Sequence, residues 1–161
     1  MGKYKAFFLF ISTWIYFYIW EKVNFYGDDE LIDNNISPFI KWAGGKRQLL
    51  PYIKEKMPLK YKNYIEPFIG GGAVLFCITP DKAIINDINK ALINVYNQIK
   101  YNPIELMDFL SKIDIQSDVE PKEYYYKKRE IFNDKIMKSE YDIELASLFI
   151  YLNIHCFNGW Y

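Results

Sequence analysis

The sequence is poor in soft metal ligands. Its 161 residues hold two cysteines, Cys77 and Cys156, and one histidine, His155. No zinc or iron–sulfur ligand set can be assembled from these, so no metal centre is expected. Both cysteines lie in apolar runs and read as small core residues of a protein in a reducing compartment, the cytoplasm. Net charge is also lacking. The formal value is +0, so no global field draws the chain onto nucleic acid or membrane. There is no phosphate-loop pattern of the G-x-x-x-x-G-K-[ST] kind, no G-x-G-x-x-G and no internal repeat. The uncharged aromatic stretch "AFFLFISTWIYFYIW", Ala6 to Trp20, falls short of the roughly 20 apolar residues a bilayer span requires. It has no small-residue cleavage site and makes a poor signal peptide.

What is present is one domain's worth of core. The chain is 51% hydrophobic, enough for a buried interior at this length. Residues 1–37 stand apart. Three readings of their aromatic run stay open: a short membrane anchor, an amphipathic or partner-docking helix, or an extension unrelated to the main domain. "GDDELIDNNIS", Gly27 to Ser37, is a polar linker into that domain. Local charge is uneven. Lys41, Lys46, Arg47, Lys54, Lys56, Lys60 and Lys62 face a single acid, Glu55, between Pro38 and Lys62. Such a segment can meet phosphates or simply form a solvated helix face.

After Ser37 the signals alternate. "PFIKWAGGKRQLLPYIKEKMP" starts extended, turns at Gly44-Gly45 and becomes helical from Lys46, with Leu49, Leu50 and Ile53 at helical spacing. Pro51 falls in the first turns, where it is tolerated, and Pro58 marks the end. "NYIEPFIGG" reads as a buried strand running into a glycine turn, and "AVLFCI" as the helix after it. Lys82 to Asn89 is a second strand. Asn89 caps a helix whose apolar side is Leu92, Val95, Tyr96 and Ile99. Asn102 and Pro103 open another helix. Further helices are expected in "KEYYYKKREIFND" and in "IELASLFIYLNIHCF", the latter apolar nearly all round and so buried. Strand, glycine turn, helix, strand and helix form the front half of a doubly wound α/β sheet. The helices that follow are an insertion on it. The remaining strands such a sheet needs are not in the sequence, so the fold is expected to be truncated, with an open strand edge and uncovered apolar faces.

Gly70, Gly71 and Gly72 end a strand, the position where open α/β sheets take cofactors. A tight turn accounts for them equally well. Asp87 ends the next strand, where an acid can accept hydrogen bonds from ribose hydroxyls. Its alternative role is a plain strand-end or capping aspartate. The triplet runs on into Ala73-Val74-Leu75, against dinucleotide spacing, which favours a nucleoside cofactor without phosphate there. Trp42 offers a stacking or cation–π face, or ordinary core packing.

"PFIKWAGGKRQLLPYI", "YIEPFIGGGAVLF", "AIINDINKALINVYNQIK" and "FIYLNIHCFNGWY" occur in that order. Together they resemble the Dam-type DNA adenine methyltransferases, the alpha-group, D12-class family that includes restriction-linked enzymes. The likeness covers about Ser37 to Tyr161. It implies an α/β fold, a partial Rossmann-like methyltransferase sheet with an inserted helical DNA-binding subdomain. Residues 38–102 would be the cofactor-binding part and 103–161 the start of the target-recognition subdomain. It implies methyl transfer from S-adenosylmethionine to the exocyclic amine of adenine in double-stranded DNA. By the same likeness, Trp42, Lys46, Glu66, Pro67, Phe68, Gly70 and Gly72 surround the cofactor and Asp87 takes its ribose. Phe157 and Asn158 would contact DNA near a flipped adenine, where an aromatic helps extrude a base and an amide reads a base edge. Lys41 and Arg47 are candidate phosphate contacts.

The family's catalytic Asp-Pro-Pro-Tyr is absent from these 161 residues. No catalytic residue is therefore assigned, and this chain alone is expected to be inactive. A carboxyl-terminal half is the partner it would need. Two other readings remain: a non-catalytic module that binds cofactor or DNA, and a membrane-tethered interaction protein built on the aromatic extension.

Overall fold

The computed structural model describes residues 38–117 and 121–156. The readings made for residues 1–37, and those for Phe157 and Asn158, lie outside the described residues.

The chain enters along Pro38–Ile40 and turns at Trp42–Gly45, where the Gly45 N–H donates to the Trp42 carbonyl at 3.1 Å. A 3-10 turn, Lys46–Leu49, leads into α1, Leu50–Lys56, with Pro51 in its first turn. Pro51 costs little there because the first N–H groups of a helix have no intrahelical acceptor. None of this segment's side chains is fully buried. The apolar spacing of Leu49, Leu50 and Ile53 therefore does not mark a core face among the described residues.

β1, Tyr64–Glu66, pairs in parallel with β2, Ala83–Ile85, in the register Ile65 opposite Ile84. The ladder runs on past the strand ends, with Asn86 N–H to Glu66 O and Ile69 N–H to Asn86 O, both 2.9 Å. Side chains alternate across a strand, so Glu66 is buried while Ile65 and Ile84 stand exposed at 61% and 64%. β1 was expected to be a buried strand, and one of its faces is not. The expected uncovered apolar face is present as this isoleucine pair.

Between the strands, Ile69–Gly72 forms a tight turn, closed by Gly72 N–H on the Ile69 carbonyl at 3.0 Å. α2, Ala73–Ile78, starts directly from it. α3, Lys90–Tyr101, is capped by Asn89, whose side chain accepts from the Leu92 N–H at 3.0 Å. Its buried face is Ala91, Leu92, Val95 and Tyr96, and Asn94 is also buried. α4 is Pro103–Ser117 and α5 is Pro121–Lys138.

α6, Ile143–His155, is the central post. Every residue from Leu145 to Asn153 is buried, as its all-round apolar sequence requires. α3, α4 and α5 all pack on it. Asp142 caps its start through the Leu145 N–H at 2.8 Å and also holds Lys135 of α5 at 2.7 Å. One continuous core joins this helical layer to Ile40, Ile69 and Phe76 beneath the glycine turn. The described residues are thus mostly helical, with a small two-stranded parallel sheet, consistent with part of a methyltransferase fold.

Candidate cofactor site at the ends of the two strands

The site starts from two backbone facts. Gly70 has φ +50 and Gly72 has φ +79, left-handed values that cost other residues strain. Space demands glycine as well. A Cβ on Gly70 would come 2.8 Å from Cδ1 of Trp42, and one on Gly72 would come 2.6 Å from the Phe76 ring and 2.7 Å from the Tyr96 hydroxyl. The Trp42 indole therefore lies directly against the turn, an approach that a side chain at Gly70 would block.

The turn is pinned from both sides. Its Gly70 N–H donates to Oδ2 of Asp87 at 3.0 Å. Its Gly70 carbonyl accepts from the Tyr96 hydroxyl of α3, also at 3.0 Å. Asp87 Oδ1 accepts from the Asn89 N–H at 3.0 Å. With each oxygen taken by one donor, each keeps a second lone pair for a further donor. The carboxylate is thereby oriented before any ligand arrives.

Lys46 is fixed next to the turn. Its ammonium donates to Oε1 of Glu66 at 3.0 Å and to the Phe68 carbonyl. Glu66 Oε2 accepts from the Tyr64 hydroxyl at 2.6 Å. Burial, reinforced by the adjacent Glu66 carboxylate, pushes the Tyr64 phenol above its ordinary range. It stays protonated and remains a donor. Both oxygens of Glu66 are thus engaged within the protein, and this carboxylate orients Lys46 from below.

Beside these groups lies a cavity of about 480 Å³, within the range of small-molecule sites. Trp42, Lys46, Phe68, Gly70 and Asp87 line it, as do Lys41 and Arg47. Glu66, Pro67 and Gly72 do not form its wall. Glu66 and Gly72 are buried behind it, and Pro67 is exposed. Three supporting residues escaped the sequence reading: Tyr64, Tyr96 and Asn153. Tyr96 was assigned to a core face, where a tyrosine in place of leucine signals a hydroxyl that needs a partner. Asn153 is a polar side chain inside an apolar helix, and such groups are hydrogen-bonded when buried.

A pinned glycine turn and an oriented acid just past the end of the neighbouring parallel strand are features of the sites where open α/β folds take nucleotide cofactors, and here an indole lies across the turn. Comparison with known proteins narrows the class. Residues 42–161 match the model of the D12 class N6 adenine-specific DNA methyltransferases, and the chain belongs to that family. The family is one of S-adenosylmethionine-dependent enzymes that methylate adenine in DNA. The chain is 45% identical over 127 residues to the type II methyltransferase M1.LlaDCHI of Lactococcus lactis subsp. cremoris, covering 79% of this chain and 44% of that protein. It is 40% identical over 140 residues to the type II methyltransferase M.MjaIII of Methanocaldococcus jannaschii, covering 78% and 48%. It is 38% identical over 121 residues to the DNA adenine methylase of Escherichia coli K12, covering 75% and 41%. The chain thus spans under half the length of these relatives.

Proposed function

We propose that this chain is the cofactor-holding part of a DNA adenine methyltransferase. The cavity at the strand ends would take S-adenosylmethionine, and the substrate of the whole enzyme would be adenine in double-stranded DNA. The observation that carries this reading is the Gly70–Asp87 pair beside the Trp42 indole. It joins a closely approachable backbone to an acid with lone pairs to spare. Bound there, the cofactor supplies an electrophilic methyl group on a sulfonium sulfur.

The chain's own residues bind and orient. Asp87 would accept the ribose hydroxyls. The Trp42 indole offers an aromatic face, which suits a cationic ligand. Lys46, its ammonium aimed by Glu66 and Phe68, would meet the carboxylate of the methionine part. Phe68, 72% exposed, stands at the rim. Lys41 and Arg47 on the same wall would face DNA phosphates. Lys41 gives one proton to the Ile154 carbonyl at 2.9 Å, which leaves two for other acceptors. Gly72 would act through the backbone of the turn, and Pro67 through the chain that leads into it. Phe157 and Asn158, directly after α6, would meet the target base. Such an enzyme would work in the cytoplasm. Among the described residues no helix is long and apolar enough to cross a membrane, so the membrane-tether reading rests on residues 1–37 alone.

These 161 residues hold no Asp-Pro-Pro-Tyr, so residues outside them would have to complete the reaction. Incubation with methyl-labelled S-adenosylmethionine and duplex DNA tests both halves of the proposal. After ultraviolet cross-linking, the protein is expected to carry label and the DNA none. Unlabelled protein would overturn the cofactor site. Labelled adenine would overturn the assignment of the chemistry to residues outside this chain.

A further inference from the structure

The residue least explained by core packing is Asn153. It is fully buried on α6, amid leucines and aromatics. Its side-chain amide does not bond within its own helix. The oxygen accepts from the Lys41 N–H and the nitrogen donates to the Lys41 carbonyl, both at 2.8 Å. This pair of bonds imitates a rung of β-ladder between segments 112 residues apart in sequence. It uses the one side-chain type of that length with a donor and an acceptor side by side. The Lys41 ammonium adds a third tether to the same helix end, on the Ile154 carbonyl at 2.9 Å.

Lys41 immediately precedes Trp42. The indole it launches rests against Gly70 and Gly71, where added Cβ atoms would meet Trp42 at 2.8 Å and 3.2 Å. The short Trp42–Gly45 turn follows at once, and none of the side chains from Lys46 to Leu49 is buried. On that side the loop is held by the Lys46 ammonium on Glu66 and the Phe68 carbonyl. On the other side it is held by the buried Ile40 and by the clamp on Lys41.

We propose that Asn153 is a positioning residue of the cofactor site. It fixes the Lys41 backbone and so holds the Trp42 indole over the glycine turn. The inference rests on the cofactor reading above. It further implies that the end of α6, which runs into Cys156 and the residues after it, and the cofactor loop are set by one side chain.

Asn153→Ser cannot span both groups of Lys41. In the otherwise unaltered full chain it is expected to weaken S-adenosylmethionine binding about tenfold, the equivalent of one or two lost hydrogen bonds. In a Trp42→Leu background it is expected to add almost nothing, because the indole it positions is gone. A purely structural role would give the same loss in both backgrounds, and that additivity would overturn the proposal. So would binding by Asn153→Ser equal to that of the unaltered chain. Failure of the unaltered chain to bind the cofactor is a different outcome, which overturns the cofactor reading and this inference with it. Hydrogen exchange on the unaltered chain decides the case if the variant does not fold. Lys41 is an exposed loop residue, yet its amide is expected to exchange as slowly as amides of α6. Fast exchange would overturn the clamp.

Discussion

The Gly70 N–H and the Asp87 carboxylate meet at 3.0 Å across the ends of the two parallel strands. This contact fixes the glycine turn and aims the acid at once. On the proposed function, Asp87 would both hold the turn and meet the cofactor. Asp87→Ala is expected to weaken S-adenosylmethionine binding by roughly ten- to a hundredfold, since hydrogen bonds to a charged acceptor contribute about 1.5–3 kcal/mol. Asp87→Asn keeps an acceptor for Gly70 but loses the charge and is expected to fall between. Equal affinities for all three proteins, by equilibrium dialysis, would separate Asp87 from the cofactor.

Gly70→Ala places a methyl group where the indole lies and forces alanine into a left-handed conformation. The backbone alone is expected to cost about 1–2 kcal/mol. Displacement of Trp42 adds a loss of cofactor affinity that the melting temperature does not reflect. The readout is the Trp42 indole N–H resonance, compared with those of Trp14, Trp20 and Trp160. A Trp42 signal that does not move would contradict the close packing.

The helical layer has its own electrostatic latch. Lys135 is nearly buried, with Asp142 at 2.7 Å and Glu144 at 2.9 Å. Burial works against the charged ammonium, but the hydrogen bonds it donates to these two carboxylates outweigh that and hold the group above its ordinary value. Burial likewise works to raise Asp142. The Lys135 bond and the Leu145 N–H outweigh that and leave its carboxyl lowered. A lowered acid stabilises the fold above its unfolded value and loses that contribution as pH falls through the folded one. A raised base keeps its contribution until pH climbs past the ordinary lysine value. The melting temperature is thus expected to be level between about pH 5 and 9 and to fall in acid below about 4. Asp142→Ala also removes the cap of α6 and is expected to cost about 1–2 kcal/mol at neutral pH. Asp142→Asn keeps the cap acceptor and is expected to cost less, with a shallower decline in acid. A decline in acid as steep as the unaltered chain's would show that the ion pair contributes nothing.

Ile65 and Ile84 sit side by side in register, both exposed. An apolar pair on an open parallel sheet promotes self-association. Replacing both with threonine keeps β-branched side chains suited to strands while removing apolar surface. Light scattering is expected to show less association and circular dichroism an unchanged helical signal. Undiminished association would place the sticky surface elsewhere.

Much of the local structure could be read from residue order. The Asn89 cap, the Leu92–Val95–Tyr96 face and the all-round burial of Leu145 to Asn153 follow from short-range pattern, and these features appear where the pattern puts them. The pairing of strands at Gly70 and Asp87 was also legible, since both lie at strand ends in a known order. What could not be read is what depends on distant chain. Lys46 meets Glu66 only after the chain folds back, and Asn153 meets Lys41 across nearly the whole domain. Uncovered apolar faces were expected, but that Ile65 and Leu49 would be among the exposed residues was not legible, for the same reason. Apolar spacing marks a face suited to burial, but it does not say whether another layer covers it.

The central claim is that the cavity between Trp42 and Asp87 holds S-adenosylmethionine in a chain that lacks the catalytic tetrapeptide. Calorimetric titration of the cofactor into the full 161-residue chain tests it most directly. Saturable one-to-one binding that Asp87→Ala weakens is the expected result. No saturable binding to a chain that shows its folded helical signal would contradict the account.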